Sequence, residues 1–97
     1  MLKTMLLSMG LFVLMMPSFA EPLRTGQLAA TCLSCHPVAA KEGSAIISLF
    51  GRSYETNRQA LLDYRSGVRS GKLMNQISQG LSYRQIERLS DYFSQKP

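Results

Sequence analysis

Tryptophan is absent, and histidine occurs once, at His36. Cysteine occurs twice, at Cys32 and Cys35, too few for the multi-bridge framework of small secreted scaffolds. No second pair of cysteines or histidines is present to complete the four ligands of a structural zinc. Alternating apolar and polar runs around the cysteines are missing too, which argues against a βαβ framework. No internal repeat, low-complexity tract or shift of composition marks a second unit, and 97 residues allow one domain. Acidic residues are few, 6 against 11 basic ones, for a net charge of +5. No interleaving of aromatic and basic side chains accompanies that charge, so nucleic acid is not an expected partner.

The 45% hydrophobic content is concentrated at the start of the chain. Lys3 precedes an apolar run from Met5 to Met16, broken by Ser8 and Gly10; Pro17 ends it, and Ser18-Phe19-Ala20 places small residues where a signal peptidase cuts. The run is shorter than the roughly 18–20 residues a spanning helix needs. Residues 1–20 are therefore expected to be a cleaved secretory signal peptide. Residues 21–97 would then form a single domain, periplasmic and without stable membrane insertion after cleavage. Five of the six methionines lie in the leader, which leaves Met74 alone in the expected mature chain. A domain of that size buries only about 60% of its unfolded surface, and such small cores usually need a metal, disulfides or a partner.

The pattern in 21–97 is helical. Leu28, Cys32 and Cys35 recur at i, i+4 and i+7, predicting a short amphipathic helix over 24–35 that Pro37 ends. Residues 37–53 read as an irregular connection, with Gly43 and Gly51 around the apolar run Ala45-Ile46-Ile47-Ser48-Leu49-Phe50. A lone strand there would have nothing to pair with, so an apolar loop packed on a flat group is expected. Thr56 and Gln59 have capping-box spacing, and Leu61, Tyr64 and Val68 predict a helix over 54–66, stopped at Ser66-Gly67. Gly67 to Gly80 reads as a glycine-punctuated loop carrying Met74 and Ile77. Ser82 and Gln85 form a second capping box ahead of the stripe Ile86, Leu89, Phe93, predicting a final helix over 83–95.

Cys32-Leu33-Ser34-Cys35-His36 has the spacing of covalent c-type haem attachment. Residues i and i+3 project from one face of a helical turn, so two sulfurs can reach the two vinyl groups on one porphyrin edge. His36 then presents an imidazole to the iron. A thioredoxin-like dithiol would instead place the cysteines at the start of a helix, whereas here the helix precedes them. A plain local disulfide would leave His36 without a role.

Met74 is the candidate sixth ligand, 38 residues beyond His36 in a loop suited to arching over the far face of a ring. A lone methionine is also a common filler of irregular core gaps, and the haem motif tips the reading toward ligation. With a histidine and a methionine on the iron, no position is free for substrate. The expected protein is an electron-transfer protein and not an enzyme. Two alternatives stay open: a haem-based sensor or ligand-binding module in which Met74 is displaced, and a haem-free thiol–disulfide oxidoreductase.

On these residues the sequence resembles class I cytochromes c, specifically the short bacterial ones, over about residues 24–95. Cys32, Cys35 and His36 match the haem motif and Met74 the distal ligand. The resemblance implies an all-α fold, the small cytochrome c fold of three main helices and long loops around one covalently attached haem c per chain. Gly26 matches the small residue at which the first and last helices cross, with Leu28 and Tyr92 packing beside it. Tyr64-Arg65-Ser66-Gly67, Met74, Gly80-Leu81-Ser82 and Asp91-Tyr92-Phe93 together resemble the cytochrome subunit of flavocytochrome c sulfide dehydrogenases, though diffusible relatives share much of that pattern. The family usually has a proline whose carbonyl accepts a hydrogen bond from the proximal histidine. Ile47 occupies that place here, and any residue can supply a carbonyl.

Five basic residues, Arg52, Arg58, Arg65, Arg69 and Lys72, stand against Glu55 and Asp63 in residues 52–72. Individually, Arg58 and Arg65 read as ordinary solvated positions. As a group they predict a basic surface near the Met74 loop that steers an acidic redox partner protein, among them a flavoprotein dehydrogenase subunit. Arg52 and Tyr54 are the candidates for contacts with haem propionates.

Overall fold

The computed structural model describes residues 20–97, so the expected leader, apart from Ala20, lies outside the described residues. Among these residues the protein is all-α, with four helices and no strand. Helix α1 spans Ala20–Leu33, α2 Tyr54–Ser66, α3 Met74–Gln79 and α4 Tyr83–Ser94. Helix α2 packs against both α3 and α4, and α1 packs against α4.

Local chemistry explains most of the helix ends. Ser53 caps α2, its hydroxyl accepting from Thr56 N–H at 3.1 Å. The expected cap Thr56 is therefore the third helical residue, and Gln59 instead donates to Asp63 one turn on, at 2.8 Å. Gly67 ends the helix at φ +84°, a conformation a side chain would strain. Val68 lies beyond that end and is 81% exposed, so it does not extend the Leu61–Tyr64 stripe. The Ser82–Gln85 box at α4 is present in both directions, at 3.1 and 2.8 Å.

The core is small. Ala29, Leu81, Ile86, Leu89 and Phe93 are buried, and Leu28, Cys32, Leu49, Phe50, Leu61 and Tyr92 pack around them. Ile86, Leu89, Ser90 and Phe93 make one face of α4, as the sequence stripe requires. Phe93 sits edge-on to Phe50 and Tyr92, with ring centroids 5.0 and 5.1 Å away. The Gly51 N–H donates to the carbonyls of Phe93 and Gln95 at 3.0 and 3.2 Å, pinning the long connection to the end of α4.

Two expectations change. Gly26 is not the close approach between the first and last helices: a Cβ built there would meet nothing within 4 Å. Ala29, with no exposed surface, is the small residue of α1 buried in the core. The Met74 segment is not wholly a loop either, since Met74 opens the six-residue α3. Glycines on both sides, at 71 and 80, left that short helix without a periodic signature.

Candidate functional site

The cysteine–histidine motif straddles the end of α1, which begins earlier and ends earlier than the 24–35 expected. Cys32 occupies the last helical turn, and Cys35 follows in the turn beyond Leu33. Two amides share one carbonyl there: Cys35 N–H and His36 N–H donate to Cys32 O at 3.2 and 2.9 Å. The tightened turn (i to i+3) carries the chain out of the helix ahead of Pro37. It keeps Cys32, Cys35 and His36 within one continuous loop of backbone.

The two thiols differ. Cys32 is half-buried against the edge of the core, while Cys35 is exposed. Burial pushes the Cys32 thiol above the ordinary cysteine range, opposed in smaller part by a backbone hydrogen bond. A thiolate nucleophile needs the opposite shift. No disulfide joins the two cysteines.

His36 Nδ1 lies 2.8 Å from the carbonyl oxygen of Ile47. A carbonyl only accepts, so Nδ1 carries a proton, and in the neutral ring that places the lone pair on Nε2. A second tie runs alongside, from the Ser48 hydroxyl to Val38 O at 2.6 Å. Together they close 36–48 into a loop that leaves Val38, Ile46 and Ile47 between 40 and 51% exposed. Leu73 and Ile77, on either side of Met74, are similarly exposed at 56 and 40%. Apolar side chains thus lie uncovered beside both candidate ligands, while Met74 itself is half-buried.

Arg52 and Tyr54 flank the cap Ser53 and are half-buried; the Arg52 carbonyl accepts from Asn57 Nδ2 at 3.4 Å. Arg65 is more than a solvated cation. Its Nε donates to Leu81 O at 3.1 Å, and its guanidinium lies 4.4 Å above the Tyr83 ring. Arg58 stands 4.0 Å from Glu55, at the limit of an ion pair. Asn75, which sequence reasoning passed over, makes three hydrogen bonds next to Met74. Its only sequence signal is its place four residues after Gly71 and one after the lone methionine.

A groove of about 400 Å³ between α1 and α4 is lined by Glu21, Arg24, Arg84 and Arg88 and includes no motif residue. Among the described residues no cluster of three or more His, Cys, Asp or Glu could hold a metal ion. Likewise, no helix among them is long and apolar enough to cross a membrane.

No family model matches the chain. A curated protein described as the cytochrome subunit of sulfide dehydrogenase, from Chlorobaculum tepidum, is 30% identical over 66 residues. The match covers 68% of this chain and 60% of that relative, so the chain spans about three fifths of its length. The resemblance read from Cys32, Cys35, His36 and the Tyr64–Phe93 pattern is thereby met by a relative of the same kind: the chain is similar to the cytochrome subunit of a sulfide dehydrogenase, a likeness that points to the cytochrome c family.

Proposed function

We propose that this protein is an exported single-haem c-type cytochrome of the class I kind, passing electrons as a free carrier or as the electron-accepting subunit of a dehydrogenase. The observation that carries the reading is the contact between His36 Nδ1 and Ile47 O. It orients the ring and leaves Nε2 available to a metal, the arrangement that ligating histidines generally have. Cys32 and Cys35 would hold the haem by adding their S–H groups across its vinyl double bonds. His36 Nε2 and Met74 Sδ would be the axial ligands, and Arg52 and Tyr54 the candidates for its propionates. When bound, haem supplies a one-electron Fe(II)/Fe(III) couple.

The surroundings fit such a group. Val38, Ile46, Ile47, Leu73 and Ile77 offer apolar surface that a flat hydrophobic ring would cover. The long irregular connection and thin core also suit a domain assembled around a cofactor. The raised Cys32 pKa weighs against a dithiol oxidoreductase.

Residues 1–20 are proposed to be the export signal. Cleavage after Ala20 would trim α1 by one residue and keep Glu21, whose carboxylate stands 3.3 Å from Arg84 Nε and 2.9 Å from Arg88 Nε. The Arg88 contact is an ion pair without hydrogen-bond geometry. The similarity to a sulfide dehydrogenase subunit supports a flavoprotein dehydrogenase as the redox partner, with the basic residues of 52–72 steering the encounter.

Mass spectrometry of the exported protein, with a pyridine haemochrome spectrum, tests the core of this reading. One haem added to a chain beginning at Glu21 is expected, and it should be lost from Cys32→Ala and Cys35→Ala variants. An exported product with no adduct overturns the proposal. Co-purification with a flavoprotein distinguishes subunit from carrier, and a protein that always elutes alone rejects the subunit form.

A further inference from the structure

One side chain ties the Met74 segment to α2. Asn75 Nδ2 donates to the carbonyls of Tyr64 and Arg69, both at 2.8 Å, and Oδ1 accepts from Gly71 N–H at 2.7 Å. The amide has only one workable orientation. Reversed, its NH2 would face the Gly71 N–H and its oxygen would face two carbonyls. Tyr64 O belongs to the last turn of α2, where carbonyls lack intrahelical partners. Asn75 therefore joins the end of α2, the 67–73 connection and the first turn of α3.

Neighbouring contacts tighten the same joint. A Cβ on Gly71 would come within 2.9 Å of Tyr64 Cε1, so the backbone lies directly against that ring. The Arg69 guanidinium covers it at 4.9 Å. Beyond the far end of α3, Arg65 holds Leu81 O. A six-residue helix has no stability of its own, and Leu73 gives α3 no side-chain cap. Its position is set by what holds its two ends.

We infer that Asn75 is a positioning residue for Met74, holding the first turn of α3 against α2 so that the thioether stays on the iron and competing ligands stay off. The inference rests on the proposed ligation by Met74. A neutral thioether is a weak electron-pair donor, so its hold depends on being presented in place. Residues 74 and 75 share a peptide bond, so drawing the Met74 backbone away from α2 requires the Asn75 contacts to break.

The test uses the haem-loaded protein, its Asn75→Ala and Asn75→Asp variants, and imidazole as the competing ligand. Binding is followed by loss of the sulfur-to-iron charge-transfer band near the red end of the oxidised spectrum. Asn75→Ala is expected to bind imidazole about tenfold more tightly than the unaltered protein, the loss of a net hydrogen bond's worth of restraint. Asn75→Asp, which keeps the acceptor for Gly71 and loses both donors, should also bind more tightly. Haem content should be unchanged, and the Gly71 amide should exchange faster with solvent. Equal imidazole affinities in proteins that all show the band overturn the inference and leave Met74 ligation standing. Failure of both variants to accumulate with haem would make Asn75 a folding residue and also overturn it. An unaltered protein without the band fails on the ligation by Met74, and the inference falls with it.

Discussion

His36 Nδ1 and the Ile47 carbonyl oxygen meet at 2.8 Å across eleven residues of irregular chain. The contact selects one tautomer of the neutral ring of the only histidine, with Nε2 as the nitrogen left to accept. A backbone oxygen does this work, so the side chain at 47 is free to vary as long as the loop holds its path.

Ile47→Pro should keep the contact and stiffen the loop. Ile47 has no positive φ to conflict with the proline ring. Restricting the unfolded chain at a compatible position stabilises by about 0.4–1 kcal/mol, readable by urea unfolding. A loss of stability would show that the backbone at 47 lies outside the range proline allows.

Met74→Ala should spare covalent attachment and change the iron. The midpoint potential is expected to fall by on the order of 0.1 V, within the roughly 0.8 V that axial ligands span, and carbon monoxide should bind readily. An unchanged midpoint in redox titration would identify a different sixth ligand.

In the haem-free chain the two thiols should react unequally. Cys35 is exposed, and burial holds the Cys32 thiol above the ordinary cysteine range. Iodoacetamide should therefore modify Cys35 first, as peptide mass mapping would show. Because the folded pKa is raised, the fold favours the neutral Cys32 thiol. Its contribution to stability is present below the unfolded pKa and is lost as pH rises through the folded one. Unfolding of this form should become easier as pH rises past about 8.5, the ordinary value of the unfolded thiol.

The helix caps make a stability test independent of haem chemistry. Ser53→Ala and Ser82→Ala each remove a hydroxyl that accepts a helix N–H and should cost about 1 kcal/mol, or about 4–8 °C in Tm for a domain of this size. Thr56→Ala, lying inside α2, should cost clearly less. Equal losses at Ser53 and Thr56 would contradict the observed cap.

Local signals were legible in the sequence where a few consecutive residues decide the outcome. Ser82 and Gln85 make their box within one turn, Gly67 takes the left-handed conformation that ends α2, and the α4 stripe repeats at helical spacing. Ser53 was missed because two hydroxyl residues three apart compete for one helix start, and only the path of the chain chooses between them.

By itself the sequence determined the chemistry on offer: two thiols three residues apart, the only histidine beside them, and one methionine downstream. Covalent spacing along one chain carries that information without any fold. Only the tertiary structure decided that Ala29 and not Gly26 lies in the core, that Met74 opens a short helix, and that Asn75 locks it to Tyr64 and Arg69. Those outcomes depend on groups brought together from distant segments, and neither periodicity nor propensity encodes which distant carbonyl an amide will reach.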